Sequence, residues 1–283
     1  MIDGRTELVG LIGHPVAHSY SPAMHNAAAA ALDLNLAYVP LPVSPERLPE
    51  AIRGLVALGF RGFNVTVPHK EAVMPHLDAI FPAARIIGAV NTVVVGDNGR
   101  LIGFNTDWSG FLTDLESRRQ ALYGRDCLVL GAGGSARAVV YALLRRGSRV
   151  TVLSRRPEQA QRLVTELGAA FPDAVAAVAS LDEVAQVAAH HDEPILINTT
   201  PLGMAGVYAG QSPWPDGAPF PPGAFVYDLV YNPRETPIMS QALGAGRPAV
   251  NGLGMLVQQA VEAFEVLTGR RPDPAVMRRA IGE

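Results

Sequence analysis

One stretch, Asp126 to Arg156, limits the possible folds more than any other. It begins with an unbroken apolar run, Cys127-Leu128-Val129-Leu130, the pattern of a strand buried on both faces. Gly131-Ala132-Gly133-Gly134-Ser135-Ala136-Arg137 follows, and from there Ala136, Val139, Val140, Leu143 and Leu144 recur at helical spacing as one buried stripe. Arg145 and Arg146 suit the negative end of that helix, and Gly147 closes it. Val150-Thr151-Val152-Leu153 is a second strand, ending at Ser154-Arg155-Arg156. Strand, glycine loop, helix and strand make a βαβ unit, and the chain is expected to be of the α/β class.

The loop has a specific use. Gly131 permits the tight turn off the strand, Gly133 lets the backbone approach a pyrophosphate, and Ala136 is the small residue that lets helix and strand pack closely. The free N–H groups and positive end of the helix favour an anion. Glycine loops also serve as plain turns, but with strand and helix both in place dinucleotide binding is the favoured reading. An acid at the end of the second strand would hold the ribose 2′-hydroxyl of NAD, whereas arginine suits the 2′-phosphate of NADP. This chain has Ser154, Arg155 and Arg156 there and no acid, so NADP is the expected cofactor.

At 283 residues the chain is long enough for two domains, each with its own core. With 48% apolar and 17% charged residues, a net charge of −3 and scattered arginine pairs, neither a nucleic-acid surface nor a membrane span is expected. Asp3 and Glu7 stand where a secretory signal would be basic and then apolar, and the single Cys127 has no internal disulfide partner. The expected compartment is the cytoplasm.

The N-terminal part alternates strand and helix patterns. Leu8 to Ile12 reads as a strand, and Ser21-Pro22 as the cap and first residue of a helix. Leu36 to Leu41 reads as the next strand, and Leu48, Ala51, Ile52, Leu55 and Val56 as the stripe of the next helix. Phe63 to Val67 is a buried strand that places Asn64 and Thr66 on one face and hands over to Pro68-His69-Lys70. Lys70 is read at a helix start, where a cation opposes the dipole; a task and a solvated lysine are both open. Asn91 heads an apolar strand, Gly96 to Gly99 is a hairpin turn, and Asn105-Thr106-Asp107 ends the partner strand, so the polar ends could meet. By itself, Asp107 reads as the cap of the following helix. Pro194 to Ile197 ends in Asn198-Thr199-Thr200, and Phe225 to Val230 delivers Tyr231-Asn232-Pro233. Polar residues at such strand ends lie where open α/β sheets bind ligands. A last helix carries Leu256, Val257, Ala260, Val261 and Phe264, with Gln259 off the centre of the stripe.

Taken together, several stretches resemble the shikimate dehydrogenase family over essentially the whole chain. They are Gly10 to Val16 with His18-Ser19-Tyr20-Ser21-Pro22, Asn64 to Lys70, Gly88-Ala89-Val90-Asn91-Thr92 and Asn105-Thr106-Asp107. The glycine loop, Asn198 to Met204, Tyr231-Asn232-Pro233 and Gly252 to Val257 continue the match in order. The resemblance implies NADP-linked interconversion of 3-dehydroshikimate and shikimate, a step of the chorismate route. It also implies that Lys70 and Asp107 are the catalytic pair, with no metal. Reducing a ketone needs a proton donor at the forming alkoxide, and the reverse needs a base, so the pair suits the chemistry. Ser19 and Ser21 are implied for the substrate carboxylate, Asn64, Thr66, Asn91 and Gln259 for ring hydroxyls, with Tyr231 nearby. Both serines lean towards shikimate over quinate. The implied cofactor set is Gly131, Ala132, Gly133, Gly134, Ser135, Ala136, Ser154, Arg155, Arg156, Thr199, Gly252 and Met255. The family's NADP pattern is often Asn-Arg-Thr followed by a further basic residue. Here Ser154-Arg155-Arg156 and then Gln159 stand instead, so the 2′-phosphate clamp rests on the two arginines.

The implied architecture is a substrate domain, residues 1–106 plus 253–283, around an inserted Rossmann domain, residues 107–252. The enzyme would act on a small molecule as a monomer or homodimer. Two rivals stand beside it: a broad-specificity quinate/shikimate dehydrogenase using NAD or NADP, and a non-catalytic ligand-sensing paralogue. Presence of both Lys70 and Asp107 argues against the second.

Overall fold

The computed structural model describes residues 2–118 and 120–283. Two six-stranded sheets organise it, and the chain divides into two units, Met1–Gly110 with Val257–Glu283, and Phe111–Leu256.

The first unit runs β1 (Glu7–Gly13), α1 (Ser21–Ala31), β2 (Leu36–Pro42), α2 (Leu48–Ala57), β3 (Gly62–Val65), β4 (Ala79–Ile80), α3 (Pro82–Ile87), β5 (Thr92–Val95) and β6 (Leu101–Phe104). α4 (Asp107–Ser117) then carries the chain into the second unit. The sheet order is β2-β1-β3-β5-β6-β4, and β5 runs antiparallel to both neighbours while the other pairs are parallel. Because β5 is reversed, the residue before it lies at the same sheet edge as the residues after β3 and β6. That edge collects Asn64, Asn91 and Asn105 to Asp107. Side-chain alternation along β1 splits its apolar residues between two cores: Val9 and Leu11 pack with Tyr38 and Leu267, Ile12 with Phe63, Val65 and Val93.

The second unit continues with β7 (Asp126–Leu130), α5 (Gly134–Arg145), β8 (Arg149–Ser154), α6 (Pro157–Gly168), β9 (Ala176–Ser180), α7 (Val184–Ala188), β10 (Ile195–Asn198), β11 (Phe225–Asp228), α8 (Pro237–Gly244) and β12 (Ala249–Asn251). α9 (Leu253–Thr268) begins here and ends in the first unit, followed by α10 (Pro274–Ala280). The sheet is wholly parallel, in the order β12-β11-β10-β7-β8-β9. The chain moves outward from β7 through β8 to β9, then returns to the other side of β7 with β10. The switch point therefore lies between β7 and β10, where open α/β sheets form a ligand crevice at the strands' carboxyl ends. Every residue of the expected α5 stripe, Ala136, Val139, Val140, Leu143 and Leu144, is buried. Cys127 is buried in β7, and burial pushes its thiol up to about 12, as suits a packing residue. No helix among the described residues is long and apolar enough to cross a membrane.

Three local expectations fail. Ser21 is the first residue of α1 rather than its cap: Tyr20 precedes the helix without a side-chain cap bond. Lys70 is not at a helix start, because β3 ends at Val65 and the chain passes through turns to a short 3-10 helix, Met74–His76. Asp107 opens α4, but its carboxylate is engaged elsewhere, and it is Asn105 that accepts the Asp107 N–H, at 3.0 Å.

Candidate active site and nucleotide-binding loop

In the first unit, a chain of side-chain hydrogen bonds runs along the sheet edge to an ion pair. Lys70 Nζ donates to Asp107 Oδ2 at 2.7 Å, with the two side chains 13% and 7% exposed. Asn91 Nδ2 donates to the other carboxylate oxygen, Asp107 Oδ1, at 2.9 Å, and to Thr106 Oγ1 at 3.0 Å. Asn91 Oδ1 accepts from the Thr106 N–H at 2.8 Å and from Thr92 Oγ1 at 3.1 Å. Asn64 Nδ2 donates to Thr92 Oγ1 at 2.9 Å, and Asn64 Oδ1 accepts from the Tyr38 hydroxyl at 2.9 Å. Asn64, Asn91, Asp107 and Lys70, all expected in the site, are thus joined into one network through Thr92, with the Tyr38 hydroxyl at its far end. The Ser21 N–H donates to Ser19 Oγ at 3.2 Å.

The elements around this network hold it rigid. The turn bearing Lys70 is tied at two points: the His69 ring bonds Val43 O through Nε2 at 2.7 Å, and the Lys70 carbonyl accepts from Val90 N–H at 2.8 Å. Thr66 donates its N–H to Ile12 O and stands partly exposed beside Asn64. α9 closes on the start of α4: Thr106 Oγ1 donates to Gln259 O at 3.1 Å, and Ser109 hydrogen-bonds Glu262. Gly110 is needed there, because a Cβ would come within 2.6 Å of Gln259 N. Burial pushes the Glu262 carboxyl above its ordinary range, and the Ser109 hydroxyl works against that shift. Behind the network, Tyr38 stacks on His25 with ring centroids 4.2 Å apart, and burial drives the His25 imidazole down to about 3, so the stack is neutral.

Chemically, the Asp107 carboxylate has both oxygens fixed by donors on different elements. An ammonium has three N–H donors, and among the described residues Asp107 takes one of those of Lys70. The arrangement can present a proton to an oxygen bound at this edge, with amide and hydroxyl groups alongside for further oxygens. Tyr231 of the expected substrate set belongs to the other unit, where it follows β11.

In the second unit, the glycine loop joins β7 to α5. Gly131 has φ +114°, a conformation side chains resist, and a Cβ there would meet Thr199 Oγ1 at 2.6 Å. Gly133 caps α5 without a side-chain bond, has open space around its Cα, and no acid occupies the first turn. These are the features a pyrophosphate requires: an open backbone approach and free helix N–H groups. At the end of β8, next to β7, Ser154 is buried and accepts the Arg156 N–H at 3.1 Å, while Arg155 and Arg156 are exposed. Neither arginine is in a salt bridge among the described residues, so both can meet a 2′-phosphate. Thr199 stands across the switch point, and Gly252 and Met255 are buried at the start of α9. Gly252 lies so close to Leu229 that a Cβ would overlap its carbonyl.

Sequence reasoning missed Tyr38, Thr92 and His69. Tyr38 carries a usable signal, since a tyrosine in an otherwise apolar strand must find a partner when buried.

Residues 11–93 match the model of the shikimate dehydrogenase substrate-binding domain, residues 114–201 that of shikimate / quinate 5-dehydrogenase, and residues 252–281 that of the shikimate 5′-dehydrogenase C-terminal domain. The chain is 50% identical to a shikimate dehydrogenase (NADP(+)) of Salinibacter ruber, over 97% of each chain. A crystal structure of a shikimate dehydrogenase in complex with NADP+ superposes with a TM-score of 0.90 at 38% identity, covering 99% of this chain and 96% of that one. The shikimate 5-dehydrogenase of Thermus thermophilus, in complex with NADP(H) and shikimate, has a TM-score of 0.85 at 39% identity, with coverage of 97% and 98%.

Proposed function

The chain belongs to the shikimate dehydrogenase family, and from that premise we propose that its Lys70–Asp107 pair moves the proton in the family's reaction. It is an NADP-dependent oxidoreductase acting on a CH–OH group, interconverting shikimate and 3-dehydroshikimate in the chorismate pathway. The observation that carries the assignment of the pair is the part-buried 2.7 Å contact between Lys70 and Asp107.

NADP, when bound, accepts or supplies the hydride at the carbinol carbon; the Gly131 to Ala136 loop would hold its pyrophosphate and Arg155 with Arg156 its 2′-phosphate. Ser154, Thr199, Gly252 and Met255 complete that set. In the reducing direction, Lys70 donates a proton to the developing alkoxide, where positive charge lowers the barrier. In the oxidising direction it takes the proton back. Asp107 fixes the Lys70 side chain, and Asn91 fixes Asp107. Asn64, Thr66, Asn91 and Gln259 are proposed to bind ring hydroxyls, Ser19 and Ser21 the carboxylate, and Tyr231 to lie near the substrate. Polar groups suit this selection, because a substrate lacking a hydroxyl leaves one of them unpaired. The domain division proposed is a substrate domain of residues 1–106 plus 253–283 and a nucleotide domain of residues 107–252. The reading extends to a cytoplasmic enzyme, monomer or homodimer.

The second reading is broader scope, supported by the match of residues 114–201 to a model that spans shikimate and quinate enzymes. One assay separates the two: formation of the reduced-nicotinamide absorbance band with shikimate or quinate crossed against NADP or NAD. Strong turnover with shikimate and NADP alone supports the first reading. Comparable turnover of quinate, or with NAD, supports the second, and no turnover in any combination overturns both.

A further inference from the structure

Asp228 belongs to none of the residue sets above, yet it is completely buried at the last position of β11. Its register partner is Asn198, the last residue of β10 and equally buried. Asp228 Oδ1 accepts from Asn198 Nδ2 and from the Val230 N–H, both at 2.9 Å, and Oδ2 accepts from the Thr236 hydroxyl at 2.6 Å. An ionised carboxylate only accepts, so it forces Asn198 to present its NH2. The Asn198 Oδ1 is thereby turned to the other side, where it accepts the Thr200 N–H at 2.9 Å and the Thr200 hydroxyl at 2.6 Å. Asn198 Nδ2 also reaches Leu202 O at 3.3 Å. That one side chain thus makes three bonds to the loop after β10.

Two further contacts complete the path. Thr199 donates both its N–H and its hydroxyl to Leu130 O, at 2.9 and 2.7 Å, next to Gly131 at the switch point. Ala205 N–H donates to Asn232 O at 2.9 Å, joining the loop after β10 to the loop after β11. From Asp228 through Asn198 to Thr199 and the glycine loop, each step is a direct bond or a neighbouring residue.

We propose that Asp228 is a positioning residue of the nucleotide site, its carboxylate fixing the orientation of Asn198 and so the placing of Thr199 beside the glycine loop. The role rests on the reading of that loop as the NADP site. All three partners of Asp228 are neutral, and burial pushes its carboxyl up to about 6. A buried charge with no cation beside it is a poor choice for stability alone, but Oδ1, held in place by the Val230 N–H, offers Asn198 only an acceptor and so excludes a flipped Asn198.

The test is the dissociation constant for NADP, by titration of the purified full chain, with steady-state rates alongside. Asp228→Ala should weaken NADP binding on the order of tenfold, the loss of one strong hydrogen-bond set. Its rate at saturating NADP and shikimate should stay within about threefold of wild type, since Lys70 and Asp107 are untouched. Asp228→Asn retains acceptor and shape, and should restore binding to within about threefold. If Asp228→Ala does not fold, Thr236→Val removes one of the three bonds at constant shape and should weaken NADP about threefold. Wild-type NADP affinity in folded Asp228→Ala, or in Thr236→Val where only that variant folds, overturns the positioning role while leaving the NADP reading intact. A wild-type chain that does not bind NADP at all overturns the NADP reading, and the positioning role with it.

Discussion

Asp107, at the start of α4, and Asp228, at the end of β11, are both buried aspartates, and they are held in opposite ways. Asp107 has a cation on one oxygen, Lys70 at 2.7 Å, and an amide on the other. Asp228 has an amide, a hydroxyl and a backbone N–H, and no cation. Burial lifts the Asp228 carboxyl to about 6, and its three hydrogen bonds offset only part of that. A paired charge can exchange a proton with a bound oxygen and be restored by its partner. A charge held only by neutral donors has no such partner, and its effect on its neighbours is to orient them. The difference separates a residue of the chemistry from a residue of the scaffold, although both look alike as buried aspartates.

Removing the cation should show the largest effect. Lys70→Ala should lower kcat by about 10²- to 10⁴-fold, the usual worth of a positioned acid–base group, while shikimate binding measured by titration persists. Wild-type turnover in that variant would remove Lys70 from the reaction. Next in size is the nucleotide specificity of the second unit. Arg155→Ala should raise the KM for NADP about tenfold and change that for NAD little, as one charge-assisted contact to a phosphate is lost. Equal effects on the two cofactors would mean that the arginine does not read the 2′-phosphate.

Stability sharpens the comparison from the other side. The Asp228 carboxyl is raised from 3.8 to about 6, so the fold favours its neutral form. That contribution is complete below about 3.8 and is lost as pH rises through about 6. Asp228→Asn should therefore gain stability over wild type across this window, by about 3 kcal/mol at most at neutral pH, read from denaturant curves at several pH values. A difference independent of pH would show that Asp228 does not titrate there. A stability loss is also expected at Gly254, where a Cβ would overlap the Asp114 carboxylate that accepts the Tyr227 hydroxyl at 2.7 Å. Gly254→Ala should cost about 1–3 kcal/mol in thermal unfolding, the usual penalty of overpacking.

Much of the second unit is legible in the sequence because its signals are local. An apolar run, a glycine loop and a helical stripe lie within Asp126 to Arg156, and the strand pairs, the buried stripe and the uncapped α5 start follow that order. The meeting of Asn91 with Thr106 and Asp107 is also legible, since a hairpin fixes which residues face each other. The place of Lys70 is not, because the segment after β3 folds into turns held by tertiary bonds, His69 to Val43 O and Val90 to Lys70 O, which leave no periodic trace. Asp107 reads as a cap because a local role is visible in sequence and a partner 37 residues away is not. Asp228 escapes notice for the same reason: its partner Asn198 lies 30 residues back, in register only once the parallel sheet has formed.

The most direct test sets the two aspartates side by side: kcat of Asp107→Asn and of Asp228→Asn at saturating shikimate and NADP. Asp107→Asn should lose about 10²-fold or more, because the group that holds the charged lysine is gone. Asp228→Asn should stay within about threefold of wild type, because acceptor and shape remain. Equal losses in the two variants, or a greater loss at Asp228, would contradict the division of labour between them.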